Sequence, residues 1–209
     1  MAKLLYIQAS PQGGRSHSIQ VADAFLAAYR KAHPGDEVIT IDLFRKDLPA
    51  LDGPALDAKY AIMHGENPTA GQANAWKAVE AIIAEFISAD KYLLAVPMWN
   101  FGIPYRLKQY VDILLQPGYT FSFSPEKGYA GLVKGKPAMI VFARGGDYEN
   151  ADPNAVDFQK RYLELALGFI GITDIRSLIV QPTLMGGPEV AKHKTEAAIA
   201  QAVKLAETF

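Results

Sequence analysis

The first segment that could bind a ligand is residues 10–18, which read SPQGGRSHS between an apolar run and a segment of helical spacing. Such a loop presents backbone N–H groups at a helix N-terminus, where anions bind. Ser10, Ser16, His17 and Ser18 add polar side chains, and the two glycines permit close approach of the backbone. A phosphate monoester fits this pattern. The alternative is that a serine only caps the helix and the glycines only make a turn, and the loop alone does not separate the two interpretations.

A second segment, residues 96–104, reads VPMWNFGIP after another apolar run. Trp99, Asn100 and Phe101 place two aromatic rings and an amide at a strand end. A flat heteroaromatic ligand needs such a wall, with apolar faces for its rings and an amide for its polar edge. The alternative makes both aromatic residues part of the core. Prolines on each side keep the segment out of regular structure and favour the ligand wall.

A third segment, residues 143–148, reads ARGGDY at the end of a further apolar run. Adjacent glycines after a strand can present unhindered N–H groups to a ligand oxygen or nitrogen. An ordinary strand-to-helix turn explains this segment equally well when it is considered alone. Its place in the chain, however, matches that of the other two loops.

Alternating strand and helix patterns must position these loops. Continuous apolar runs predict strands over residues 3–9, 37–43, 91–97, 136–144 and 174–181, and helical spacing predicts helices over 18–32, 73–89, 104–115, 157–171 and 188–208. Pro104 is expected at the first helical position, where its missing N–H costs nothing. Residues 44–72 are expected to be a loop with one short helix near 55–63. Alternating aromatic residues over 118–131 predict a hairpin-like excursion.

This alternation predicts the α/β class, with a doubly wound, five-stranded parallel sheet in the order 2-1-3-4-5 and helices on both faces. Ligands of such sheets bind where the strand order reverses, at the carboxyl ends of the first and third strands. The three loops should therefore meet there. We expect one domain over residues 1–209.

Composition excludes several classes of protein. The chain has 209 residues, a net charge of −1 and no cysteine, which excludes disulfides, thiol nucleophiles and cysteine metal sites. No metal site is expected. The near-neutral charge argues against nucleic-acid binding, and no apolar segment is long enough for a membrane span. The N-terminus does not have the pattern of a signal peptide, so the expected location is the cytoplasm.

Three phrases of the sequence together resemble the FMN-dependent NADH:quinone oxidoreductases, or azoreductases, which have a flavodoxin-like fold. They are residues 97–104 followed by Leu107, Lys108 and Asp112, residues 143–146, and residues 168–174. The similarity runs nearly end to end. Two departures affect substrate range: Trp99 is commonly Tyr in the family, and Ala143 is often Ser.

The resemblance implies a homodimer with two FMN sites at the subunit interface. It implies that the FMN phosphate binds Ser10, Ser16, His17 and Ser18. It implies that the flavin ring contacts Pro97, Met98, Trp99, Asn100, Phe101, Ala143, Arg144, Gly145 and Gly146. Substrate contacts are expected from Phe123, which matches a family position often occupied by Tyr, from Asn100 and from Tyr148.

The implied activity is hydride transfer from NADH or NADPH to flavin N5 and then to a quinone or azo compound, in ping-pong order. No side chain is then required as a general acid or base. Four alternatives stay open at this point. They are a flavin reductase that releases reduced FMN, a flavodoxin-like electron carrier, a flavin-binding regulator without turnover, and a serine hydrolase. The net charge of −1 disfavours the carrier, and the absence of a GxSxG phrase disfavours the hydrolase.

Overall fold

Five parallel strands form the central sheet of the computed structural model, which describes residues 1–148 and 156–209. They lie in the order β2-β1-β3-β6-β7. Their bounds are β1 (Lys3–Gln8), β2 (Glu37–Asp42), β3 (Lys91–Pro97), β6 (Ala138–Ala143) and β7 (Ile175–Val180). Counted along the chain, this is the predicted order 2-1-3-4-5, and the flavodoxin-like arrangement is confirmed.

Helices cover both faces of this sheet. Their bounds are α1 (His17–Ala32), α2 (Gly53–Met63), α3 (Ala70–Ile87), α4 (Tyr105–Leu114), α5 (Lys160–Phe169) and α6 (Gly187–Ala206). Buried residues of α3, α4 and α5 share one core, and those of α1 and α6 share the other. Over the described residues, no helix has both the length and the apolar character needed to cross a membrane.

Strand β1 shows why the apolar runs form a buried sheet. Leu5 and Ile7 belong to one core, whereas Leu4 and Tyr6 belong to the other. Side chains alternate between the two faces of a strand, so a strand covered on both faces needs apolar residues at successive positions. The uninterrupted runs in β3 and β6 have the same cause, and all six residues of β6 are buried.

The helix starts differ from the sequence predictions where side chains cap the backbone. Helix α3 begins three residues earlier than predicted because Thr69 and Gln72 form a capping box, in which each side chain accepts the other's backbone N–H. Helix α5 begins at residue 160 instead of 157. There Asp157 accepts the N–H groups of Gln159 and Lys160, so it precedes the helix. Helix α4 also begins one residue later than predicted, at Tyr105, with Pro104 as an N-cap that makes no side-chain capping bond.

The predicted excursion is a β-hairpin outside the main sheet. Strands β4 (Phe121–Ser124) and β5 (Gly128–Gly131) pair antiparallel, with Phe123 opposite Tyr129. The hairpin packs on α5, where the Phe121 and Phe169 rings lie 4.8 Å apart between centroids. A short helix was also predicted near residues 55–63, and α2 occupies that position.

Candidate functional site

A cavity of about 270 Å³ lies at the carboxyl ends of β1, β3 and β6. All three loops singled out in the sequence contribute to its wall. The lining residues are Ser10, Gln12, Ser16, His17, Pro97, Met98, Trp99, Ala143, Gly145, Thr183 and Leu184. The sheet topology therefore brings these three distant segments to one place, at the point where the strand order reverses.

The first loop leaves the N-terminus of α1 without a side-chain cap beside this cavity. Gly13, with φ of 55°, begins a single 3₁₀ turn over Gly13–Arg15, and Ser16 is the N-cap of α1. The Ser16 hydroxyl makes no capping bond and lies 3.1 Å from the hydroxyl of Ser18. In the described part of the chain, no acceptor meets the N–H groups of His17, Ser18 and Ile19, the first three residues of α1. An anion is the natural acceptor for such groups.

His17 is the histidine of this loop, and it lines the cavity. Its Nδ1 lies 2.9 Å from the hydroxyl oxygen of Thr195, a buried residue of α6. Burial lowers the pKa of the imidazole below its usual value. The ring therefore lines the cavity while it is held by a helix from the other end of the chain.

The second loop closes in a two-residue turn. Trp99 and Gly102 exchange both backbone hydrogen bonds, at 3.0 and 2.9 Å, which leaves Asn100 and Phe101 at the tip. Both tip residues are left-handed, with φ of 46° and 70°. That conformation costs about 1–2 kcal/mol per residue that is not glycine. Such strain is concentrated at ligand sites.

The aromatic side chains of this turn are not core residues. Trp99 is 37% exposed and Phe101 is 53% exposed. Trp99 rests against Phe44 and Tyr105, with ring centroids 5.7 and 6.1 Å away. The core interpretation of these two residues therefore fails, and a wall for a flat ligand agrees with their positions.

The third loop is held by a buried ion pair. Arg144 donates to Asp157 at 2.6 Å and to Gln159 at 3.0 Å. Its backbone N–H donates to Val180, and its carbonyl accepts the N–H of Thr183. Arg144 does not line the 270 Å³ cavity. The structure gives it a role in holding the loop, with Ala143 and Gly145 left to face the cavity.

Other predicted residues lie beside the cavity or away from it. Ser18 is fully buried behind Ser16, and Asn100 and Phe101 form the tip of the second loop. The Tyr148 ring centroid lies 5.8 Å from the guanidinium carbon of Arg144. The same ring packs against Gly146, where an added Cβ would lie 3.4 Å from a Tyr148 ring carbon. Phe123 is 60% exposed on the hairpin and packs on Tyr129, so within one chain it does not reach the cavity.

Three lining residues were not predicted: Gln12, Thr183 and Leu184. Thr183 and Leu184 follow β7, and their N–H groups donate to the carbonyls of Arg144 and Gly145. Leu184 packs directly over Gly145, where an added Cβ would lie 2.9 Å from the Leu184 side chain. Thr183 and Leu184 could have been predicted from their position after β7, because parallel strands β6 and β7 have their carboxyl ends at the same sheet edge.

The donor set fits a phosphorylated flat ligand. The first loop has free amides and two hydroxyls for a phosphate, and Met98, Trp99 and Leu184 give apolar surface for a ring. Among residues 1–148 and 156–209, the side chains that could ligate a metal do not form a cluster of three or more.

Comparison with known proteins agrees with this interpretation. The family described as flavodoxin-like fold matches residues 2–206. An FMN-dependent NADH:quinone oxidoreductase of Nitratidesulfovibrio vulgaris strain DP4 is 53% identical over 210 residues, which cover 100% of both chains. A protein of the same name from Desulfotalea psychrophila is 48% identical over 184 residues, covering 88% of this chain and 87% of its own.

Solved structures give the same result. The crystal structure of azoreductase from Bacillus anthracis strain Sterne matches with a TM-score of 0.92 and 30% identity over 100% of both chains. An FMN-dependent NADH-azoreductase from the Ames Ancestor strain, solved in complex with FMN, matches with a TM-score of 0.87 and 30% identity over 99% of this chain and 100% of its own. The chain is therefore an enzyme of the flavodoxin-like family of FMN-dependent NADH:quinone oxidoreductases, the azoreductases.

Proposed function

We propose that this chain binds FMN in the 270 Å³ cavity and uses NADH or NADPH to reduce quinones and azo compounds. The observation that carries the proposal is the meeting of the three predicted loops at one sheet edge. The relatives that match over the full length are named for this cofactor and this reaction, and one neighbouring structure is described as a complex with FMN.

Each loop has a distinct task in this proposal. The uncapped N-terminus of α1, with Ser10, Ser16 and His17, holds the phosphate. Ser18 supports Ser16 through their hydroxyl contact. Pro97, Met98, Trp99, Asn100 and Phe101 hold one part of the flavin ring, and Ala143, Gly145 and Gly146 hold another. Arg144 acts on the ring only by fixing the loop.

FMN, when bound, supplies the two-electron chemistry, in which hydride enters at N5 from the pyridine nucleotide and leaves to the quinone or azo compound. The protein orients the reactants in one open pocket that both substrates enter in turn, which gives ping-pong kinetics. His17 is the titratable residue that lines this cavity among the described residues, and it lies in the phosphate loop. No side chain is therefore assigned as a catalytic acid or base.

We also propose that two chains form a homodimer that completes each flavin site. The support is a set of exposed aromatic side chains beside the cavity mouth and on the hairpin. Phe101, Tyr105 and Phe123 are 53%, 65% and 60% exposed. Large exposed apolar groups of this kind mark interaction surfaces. In this arrangement Phe123, which does not reach the cavity of its own chain, covers the flavin of the partner. Tyr148 contributes a substrate contact.

The proposal includes one domain over residues 1–209, with residues 118–131 as its excursion, and a cytoplasmic location. The family match over residues 2–206 supports a single domain. A chain without cysteine agrees with a reducing compartment.

The test is the visible spectrum of the purified protein, followed by anaerobic addition of NADH and then of NADPH. We expect a flavin spectrum that bleaches with a nucleotide and recovers when a quinone is added. A flavin that stays oxidised with both nucleotides would support an electron carrier or a regulator instead. A protein that is colourless and takes up no added FMN would overturn the proposal. Sedimentation at several concentrations tests the dimer.

A further inference from the structure

The phosphate loop is tied to the C-terminal helix by a directional hydrogen bond. His17 is the first residue of α1, and Thr195 lies in the middle of α6. The imidazole Nδ1 and the Thr195 hydroxyl oxygen are 2.9 Å apart. The same hydroxyl oxygen lies 2.7 Å from the backbone carbonyl of Ala191. Thr195 is 4% exposed, so its hydroxyl is largely removed from bulk solvent.

The direction of the histidine bond follows from the number of protons. A threonine hydroxyl has one proton, and a carbonyl oxygen can only accept. The 2.7 Å contact with Ala191 therefore uses the hydroxyl proton, because two oxygens at that distance without a proton between them would repel. The Thr195 oxygen must then accept from Nδ1–H of His17. In the neutral ring the proton is on Nδ1, and Nε2 is an unprotonated acceptor.

This arrangement does not suit a phosphate unless the ring gains a proton. Phosphate oxygens of the dianion are acceptors, and so is the Nε2 of a neutral ring whose proton is on Nδ1. Among the described residues, Nε2 has no hydrogen-bond partner. A bond between Nε2 and a phosphate oxygen therefore needs an Nε2–H, which the ring acquires only as the imidazolium.

We propose that Thr195 is a positioning residue that makes His17 bind the FMN phosphate as an imidazolium, so that one proton from solvent adds to Nε2 for each FMN bound. The inference rests on the proposed FMN site. It assigns this chain a pH-dependent affinity for its cofactor, and it assigns α6 a direct influence on the phosphate loop.

The bound phosphate is the group expected to stabilise the protonated ring of His17, as the residues around His17 show. A second cavity, of about 510 Å³, lies between α1 and α6, and His17 lines it as well. Lys192 and Glu196 of α6 are the charged residues that line it, and burial, not either charge, is the cause of the lowered pKa of His17. The remaining groups that face His17 from α1, from the phosphate loop and from the loop after β7 are uncharged: Gln20, Ser10, Ser16, Thr183 and Leu184.

Burial lowers the pKa of His17 in the flavin-free protein, so the ring is neutral near neutral pH. A dianionic phosphate raises that pKa on binding because it stabilises the charged ring. Proton uptake then weakens FMN binding as the pH rises between the two pKa values, by at most about tenfold in Kd per pH unit.

The affinity test is the Kd for FMN from quenching of flavin fluorescence between pH 7 and pH 9, with riboflavin as the matched ligand that lacks the phosphate. We expect the FMN Kd to rise several-fold over this range while the riboflavin Kd stays flat. His17→Gln keeps an N–H donor without a titratable ring, and it should bind FMN with little pH dependence. A parallel pH dependence for the two flavins would overturn the inference.

Two variants of the positioning residue separate its hydroxyl from its packing. Thr195→Val keeps the shape and removes the acceptor, and it should raise the FMN Kd several-fold at pH 7 without a comparable change for riboflavin. Thr195→Ser keeps the hydroxyl and should restore the wild-type Kd and its pH dependence. If Thr195→Val matches the wild type at every pH, Thr195 has no positioning role.

The tautomer is measured independently of catalysis by ¹⁵N NMR of labelled protein, with the His17 signals assigned by their loss in His17→Gln. We expect a neutral ring with its proton on Nδ1 in the flavin-free protein and protons on both nitrogens after FMN is added. A proton on Nε2 in the flavin-free protein would overturn the inference even if FMN binds. Absence of binding by both flavins would instead overturn the FMN site itself, and the inference with it.

Discussion

The guanidinium of Arg144 donates to the carboxylate of Asp157 across 2.6 Å, and both side chains are almost completely buried. The pair joins the loop that follows β6 to the residues just before α5. The backbone carbonyl of Arg144 also accepts the N–H of Thr183, in the loop after β7. One residue therefore fixes the relative positions of two loops that line the cavity.

Removal of this cation should strongly destabilise the fold. Arg144→Met leaves Asp157 buried without its partner, and breaking a buried pair costs about 3–5 kcal/mol. We expect a loss of that size in the free energy of unfolding, measured by urea denaturation. A matched control is Arg45→Met, because Arg45 pairs with Asp42 while its side chain is 89% exposed, and the expected cost there is about 0–1 kcal/mol. Equal losses for the two variants would contradict this account of the buried pair.

Substitution of Phe123 should affect the two half-reactions unequally. Phe123 packs on Tyr129 but is 60% exposed, so its ring is available to cover a flavin or a substrate. We expect Phe123→Ala to raise the KM for quinone several-fold, while the rate of flavin reduction by NADH changes little. Stopped-flow measurement of each half-reaction checks this. Tyr60→Ala, an exposed aromatic on α2, is the control and should change neither. Equal effects of Phe123→Ala on both half-reactions would count against a substrate contact.

The left-handed turn of the second loop should tolerate glycine better than alanine. Phe101 has φ of 70° and is 53% exposed, so its ring contributes little to the core. Phe101→Ala and Phe101→Gly both delete the ring, but only glycine adopts this φ without strain. We expect the glycine variant to be more stable than the alanine variant by about 1 kcal/mol in urea denaturation of the flavin-free protein. Both should bind FMN less tightly than the wild type. An alanine variant as stable as the glycine variant would show that the turn is unstrained.

The hairpin should not accept a side chain at Gly131. A Cβ there would overlap the backbone of Ile170 and Gly171, which cannot move aside as a flexible side chain could. We expect Gly131→Ala to lower the free energy of unfolding by about 1–3 kcal/mol or more. Gly168→Ala is the opposite control, since that helical glycine has open space around it, and it should gain about 0.5–1 kcal/mol. A neutral Gly131→Ala would show that the hairpin can move away from Ile170 and Gly171.

Periodicity alone predicted much of the fold. The bounds of β3 were predicted to the residue, because a strand covered on both faces needs an uninterrupted apolar run, and Lys91 and Pro97 delimit that run. The largest errors, of three residues, lie at the helix starts Ala70 and Lys160, where capping side chains decide the boundary. Capping signals are short, and their effect depends on whether the side chain actually turns back to the backbone.

The site was predictable where it depends on topology and less so where it depends on side-chain direction. The three loops were expected to meet, and residues of each line one cavity. The sequence could not show that Arg144 turns to Asp157, thirteen residues away, instead of toward the cavity. It also could not show that Leu184 would cover Gly145, because that contact depends on how the chain leaves β7.

The backbone contact between Gly131 and Gly171 has a consequence for how this protein can be recombined with its relatives. The hairpin and the segment that precedes β7 fit each other through main-chain atoms, and Val133 adds a hydrogen bond to the carbonyl of Ile170. A chimera that takes the hairpin from one parent and residues 168–174 from another would combine two segments whose main chains need not fit each other. Crossover points should therefore keep residues 118–174 as one block, and substrate preference carried by the hairpin should transfer with that block.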